Sequence, residues 1–315
     1  MPTRKIRSTL TFTAILLLLL GQSITAQDGK SDSRNRGSAK PVTVPVTIRI
    51  RETKPVEMRF VDYILREDGD LQTILSARLP NESPMTLAIL IQDDLVSSIA
   101  NETKGISAFI ANQPGGSRVM VAYIRAGTLE VKRKFTNELE KAAAGVRPPL
   151  GLSSASPFNP YVEVIEALHR FDSQPMGRRA IILVSDGIDV SRGVDASSPA
   201  QSLDLQRAIN EAQRRGVAIY SIFAPPSAAP GAQFLNANGQ SCLERLSSET
   251  GGKAFFQGTG APVSFDPFLK EIDTLLSRQL ALTYLSTHTS KGFHKLDIKP
   301  LEPGVEIHHP AGYTR

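Results

Sequence analysis

The apolar run MTLAILIQ ends at Gln92 and gives way to two aspartates, Asp93 and Asp94, with Ser97 and Ser98 close behind; RAIILV ends likewise in Ser185, Asp186 and Gly187. Carboxylates and hydroxyls gathered on one loop are what a hard cation such as Mg²⁺ requires, yet Asp and Ser are equally what a surface turn after a strand prefers. Both readings are open on residue types alone. No Gly-x-Ser-x-Gly elbow, phosphate-binding loop or His-Glu-x-x-His motif occurs, so no enzymatic activity is expected. His169, His288 and His294 are isolated in the chain and read as surface or core residues, not ligands. His308 and His309, adjacent in an expected strand, point to opposite faces and cannot grip one ion. Cys242, the single cysteine, can make no intrachain disulfide and is placed on the buried face of a helix.

The elements that must position these residues alternate. MTLAILIQ, RAIILVSDG and VAIYSIF are nearly continuous apolar runs, as strands buried on both faces require, and between them lie stretches with helical spacing. Helices are expected over 98–112, 161–171 and 200–215, the last stopped by Gly216, then around Cys242 and around Ile272. SRVMVAYI and TLEVKRKF form a hairpin at Ala126-Gly127, with the basic VKRKF on a solvated edge strand that discourages sheet-to-sheet association. This order predicts an α/β fold, a doubly wound and mostly parallel sheet, in which ligands gather at the carboxyl ends of the strands. Asp93 and Asp186 both fall there.

Outside this block the pattern is β. Residues 41–83 include VTVPVTIRI and a hairpin turning at Asp68-Gly69, and 281–315 include LALTYLST, FHKLDIKPL and VEIHHPAGY; the two segments are expected to pair as a small β subdomain. The domain order is then 1–26 signal peptide, 27–40 flexible linker, 41–83 β segment, 84–280 α/β domain and 281–315 β segment. Arg4, Lys5 and Arg7 precede the short run TAILLLLL, far below what a bilayer crossing needs, so residues 1–26 read as a signal peptide cleaved after Ala26, the alternative being an uncleaved anchor. The protein is expected to be exported, to the periplasm, envelope or exterior, with no membrane span after cleavage. Cleavage removes three basic residues and lowers the formal charge from +5 to +2, leaving no basic stripe; with no Trp and six Tyr, nucleic acid is excluded as a partner.

A strand ending Asp-x-x-x-Ser, a second ending Ser-Asp-Gly and the later VAIYSIF strand resemble a von Willebrand factor type A (vWA) domain. EDGDLQTI, SSETGGKAFF and HPAGY extend the resemblance to the exported bacterial subgroup called VWFA-related, over roughly residues 46–313. The resemblance implies a Rossmann-like fold, binding of a protein partner in adhesion, and a metal-ion-dependent adhesion site for Mg²⁺ built from Asp-x-Ser-x-Ser, a Thr and a distal Asp. Carried across, Asp93 matches the first Asp, Leu95 replaces the first Ser, Ser97 matches the second, Asn159 stands near the Thr, and Asp186 is the distal Asp. Starting instead at Asp94, with Val96 and Ser98, does not restore the missing serine. Leu95 offers no donor atom, so the site is degenerate, and binding with or without Mg²⁺ are both open. Asp94, Ser98 and Asp189 complete the expected partner-binding rim. The alternative function is a metal-free structural subunit of an envelope or secretion assembly.

Overall fold

A computed structural model describes residues 39–50, 58, 61–227, 233–258 and 260–315; the expected signal peptide and nearly all of the linker lie outside them. The chain opens with strands β1 (Lys40–Ile50), β2 (Tyr63–Glu67), β3 (Asp70–Leu71) and β4 (Thr73–Arg78). The central block follows as β5 (Thr86–Gln92), α1 (Thr103–Ala111), β6 (Arg118–Arg125), β7 (Thr128–Thr136), α2 (Leu139–Ala143) and α3 (Tyr161–His169). It continues through β8 (Arg179–Ser185), α4 (Leu203–Arg215), β9 (Ala218–Phe223), α5 (Gln233–Thr250), β10 (Ala254–Phe255) and α6 (Asp266–Ser277). Strands β11 (Gln279–Ser286), β12 (Phe293–Pro300), β13 (Val305–His308) and β14 (Gly312–Thr314) close it.

The central sheet has the order β10-β9-β8-β5-β6-β7. Every neighbouring pair is parallel except β6 and β7, the hairpin expected at Ala126-Gly127, which leaves the basic β7 on an edge. Every residue of β5, β8 and β9 is buried, because helices cover both faces. Along β5 the side chains alternate with period two: Leu87, Ile89 and Ile91 pack with α1 and α6, while Ala88 and Leu90 pack with α3, α4 and α5. From β5 the chain winds outward through β6 and β7, then returns to lay β8 on the other flank of β5, so the sheet changes direction between β5 and β8. Crevices at such a switch, beyond the carboxyl ends of the strands, are where open α/β sheets place their ligands.

The terminal segments do pair, in two four-stranded antiparallel sheets, β13-β1-β11-β4 and β14-β12-β2-β3. They share a core of Val44, Val46, Ile48, Leu65, Leu282, Tyr284, Leu296 and Ile298. Helix α4 shows how local sequence sets an element's limits: the Ser202 hydroxyl accepts from Leu205 N at 3.2 Å at its start, and Gly216, at φ 60°, ends it in the left-handed conformation. No helix among the described residues is long and apolar enough to cross a membrane.

Candidate functional site

At the switch point the tips of β5 and β8 meet through Gln92. Its Oε1 accepts from Ser185 Oγ at 2.6 Å and from the Asp186 amide at 3.3 Å. A backbone N–H can only donate, so this contact fixes which way the amide group points. The Nε2 then donates to Asp94 Oδ1 and to Asp186 Oδ2, both at 2.8 Å. Asp186 Oδ1 accepts from the Ile188 amide at 2.9 Å, while Asp94 Oδ2 is buried with no hydrogen-bond partner. All three residues are buried. Burial first, and the nearby Asp94 carboxylate second, push the Asp186 carboxyl up to about 7, against the Ile188 and Gln92 hydrogen bonds that favour its charge.

The cover over this cluster is close. Gly187 has φ 67°, and a Cβ on it would stand 2.5 Å from Gly239 O; a Cβ on Gly239 would stand 2.1 Å from Asp186 O. Only two glycines let α5 sit directly on the turn after β8. The loop after β5 is held from the other side, where Ser227 N donates to Asp94 O at 2.9 Å and Leu95 bridges Pro226.

Asp93 is not part of this cluster, which corrects the expected pairing of Asp93 with Asp186. It lies one residue past Gln92, so its side chain turns the other way. The Arg147 guanidinium grips it with two bonds of 2.6 and 2.9 Å, Arg125 Nε lies 3.2 Å away, and the Leu150 amide donates at 3.0 Å. Arg147 is fixed in turn by stacking 3.9 Å over the Tyr123 ring, whose hydroxyl also bonds its backbone. Asp93 thus anchors the loop after α2 to the strand tip. The residues of this loop that face the Asp186 cluster are Gln92 and Asp94, not Asp93 and Ser97. A polar Gln closing an otherwise apolar strand was the signal for it.

The remaining expected ligands are committed elsewhere. Leu95 is buried, and Ser97 and Ser98 are exposed on the short helical turn that precedes α1. Asn159 Oδ1 caps α3, accepting from the amides of Tyr161 at 3.1 Å and Val162 at 3.2 Å, and its Nδ2 donates to Asp204 at 3.2 Å. Asp189 accepts from Ser191 and from the Ser202 hydroxyl, pinning the loop after β8 to the start of α4. Mg²⁺ needs several oxygens aimed at one point. Here an NH₂ group already stands between the two carboxylates, and no hydroxyl of the expected set faces them. These residues do not fit a Mg²⁺ site.

Around the sealed cluster the loops carry apolar side chains in solvent. Phe158 is 74% exposed and Leu152 54%, and Leu150, Val162, Val194 and Phe234 are also exposed. They lie on the loop before α3, on the loop after β8 and at the starts of α3 and α5, at the carboxyl end of the sheet. The first two loops touch, with Val190 N donating to Phe158 O at 2.8 Å. Cys242 is buried as expected, its Sγ 3.6 Å from Ser197 O, and burial pushes its thiol up to about 11.

The strand order, the lone antiparallel edge and the switch point roofed by α5 define an open, doubly wound α/β fold, as the resemblance to von Willebrand factor type A domains implies. Solved structures similar to this chain include BatB from Bacteroides thetaiotaomicron, at 14% identity and TM-score 0.43 over 62% of this chain and 97% of that one. Others are the SpRpn10 VWA domain, at 15%, 0.37, 62% and 92%, and the manganese-loaded TRAP protein of Plasmodium vivax, at 10%, 0.40, 81% and 100%. No family model and no curated protein matches the sequence.

Proposed function

We propose that this chain is an exported, non-enzymatic protein-interaction module of the vWA type that grips its partner without a metal ion. The observation that carries the reading is the exposed apolar rim, led by Phe158 and Leu152, around a switch point whose acidic groups are closed off by Gln92. Large apolar side chains this exposed and set on neighbouring loops mark interaction surfaces. Because the carboxylates beneath are buried and turned toward Gln92, the rim acts by apolar burial and backbone contacts. The Gln92 cluster holds those loops in place. In this reading the degenerate adhesion site has become a structural clasp.

The test is crosslinking on whole cells that produce the wild-type chain, Phe158→Asp with Leu152→Asp, or Asp186→Asn, each with EDTA and with Mg²⁺. The rim variants lose the crosslinked species, and EDTA changes nothing for the wild type. Capture that disappears with EDTA and returns with Mg²⁺ would refute the metal-free reading. A stable complex with envelope proteins identifies a scaffold, and capture of an extracellular protein identifies an adhesin.

A further inference from the structure

Two histidines that look isolated in the sequence are brought together with a turn aspartate. Asp68 and Gly69 form the two-residue turn between β2 and β3, Asp68 at φ 51° and Gly69 at φ 93°. Asp is one of the few residues that tolerates the left-handed conformation this turn requires. Strand β12 fixes the turn in place: Asp68 N donates to Lys295 O at 2.9 Å, and Lys295 N donates back to Asp68 Oδ1 at 2.8 Å. The other carboxylate oxygen, Oδ2, is left facing two imidazoles. His294 Nδ1 is 2.7 Å from it and His288 Nδ1 is 3.9 Å from it. The rings of His288 and His294 lie 5.7 Å apart, and one atom from each of the three residues falls within 4.8 Å of the others.

The far side of each ring is also arranged. His294 Nε2 is 3.0 Å from Ser290 O, and since a carbonyl only accepts, Nε2 carries a proton and Nδ1 is turned to Asp68. His288 Nε2 is buried and makes no hydrogen bond, with the Asp70 carboxylate 3.3 Å away. A histidine whose outer nitrogen faces a carbonyl or carboxylate while the inner one faces a carboxylate oxygen is in the pose of a metal ligand. The loop carrying His288 is itself held, by Thr287 N on Gln72 Oε1 at 3.1 Å and by Arg315 Nη1 on His288 O at 2.6 Å.

We infer that Asp68, His288 and His294 form a binding site for a divalent transition-metal ion of the Zn²⁺ class, with a fourth position open. Two imidazoles and one carboxylate suit such an ion better than Mg²⁺ or Ca²⁺, which prefer oxygen alone. Tetrahedral ligands at about 2.1 Å from zinc stand roughly 3.4 Å from one another. The observed 2.7 and 3.9 Å bracket that value and the three ligand atoms lie within 4.8 Å of one another, so a shift of the His288 loop on the order of an ångström admits the ion. In the metal-free protein the same space is closed by a proton between His294 Nδ1 and Asp68. An ion there would clamp the β2–β3 turn to the β11–β12 loop. This site is independent of the rim and of the Gln92 cluster.

The experiment is titration calorimetry of the full chain with Zn²⁺ at neutral pH, alongside long-range proton–nitrogen NMR of the histidine rings. The wild type takes up one equivalent, and the Nδ1 resonances of His288 and His294 shift while the Nε2 protons remain. His288→Ala, on a loop, and Asp68→Asn, which keeps the left-handed turn and the acceptor for Lys295 N, weaken binding about 100-fold or more, the upper end of what losing a partner behind a ligand does. Asp94→Asn leaves it unchanged. Circular dichroism of the two site variants matching wild type shows that the loss is of ligands and not of fold. No stoichiometric uptake by the wild type, or undiminished uptake in both folded variants, overturns the inference.

Discussion

Asp186 makes the fold weaker as the solution passes from acid to neutral. Its carboxyl is buried beside Asp94 and titrates at about 7, against 3.8 in an unfolded chain. Between those two values the folded protein holds a proton that the unfolded chain has released, so stability from this group is fully present below about 3.8 and declines until about 7. At roughly 1.36 kcal/mol for each decade of proton activity, the difference amounts to about 4 kcal/mol. Asp186→Asn removes the titration and keeps the shape, so its unfolding free energy loses that downward slope. Asp94→Asn removes the like charge and gives a neutral group in place of a carboxylate oxygen without a partner; it stabilises at pH 8 and changes little at pH 4. Urea unfolding of the three proteins at half-unit steps from pH 4 to 8 measures the slopes, and carbon NMR of the Asp186 carboxyl measures the titration directly. Parallel wild-type and Asp186→Asn profiles, or an Asp186 midpoint near 4, would refute the reasoning.

Arg147→Ala leaves buried Asp93 with only Arg125 as a charged partner beside the Leu150 amide and is expected to cost about 2–4 kcal/mol, read as a lower urea midpoint. Gly239→Ala drives a methyl into the Asp186 carbonyl, where only backbone could yield; a loss of about 3 kcal/mol or more is expected by thermal unfolding. Phe158→Asp changes stability by no more than about 0.5 kcal/mol, because the ring is already in water, while abolishing partner capture. Ser202→Ala removes both the cap of α4 and the hydroxyl that Asp189 holds, and is expected to cost about 1–2 kcal/mol by the same urea assay.

The strands and helices of the sheet could be read from the chain because burial on both faces demands unbroken apolar runs such as LAILI and AIILV, which polar spacing then separates into helices. The hairpins at Asp68-Gly69 and Ala126-Gly127 were likewise local matters of turn chemistry. Short pieces were harder: α2, only five residues long, shows no periodicity that its sequence could display. The site was legible in place but not in detail. That strands end in acid at one edge follows from the sequence, whereas which of two neighbouring aspartates turns inward depends on the residue at which β5 stops pairing, and Gln92 decides it. Arg147, which draws Asp93 away, comes from a loop 54 positions on. The Asp68 and His294 contact spans 226 positions and exists only because the first and last β segments pair.

That pairing also orders events in time. Thr43 and Thr283 share a side-chain hydrogen bond of 2.9 Å across 240 positions, and β1 is paired with β11 from Lys40 to Thr47. A nascent chain therefore displays β1 long before its neighbour has been synthesised, while the α/β block in between already holds every strand of its own sheet. The outer sheets close last, and a ribosome stalled or a protease cutting ahead of β11 strands β1 as a bare template to which another chain can add. Quality control during synthesis should accordingly be most sensitive to damage in β11, far downstream of the strand that would misbehave.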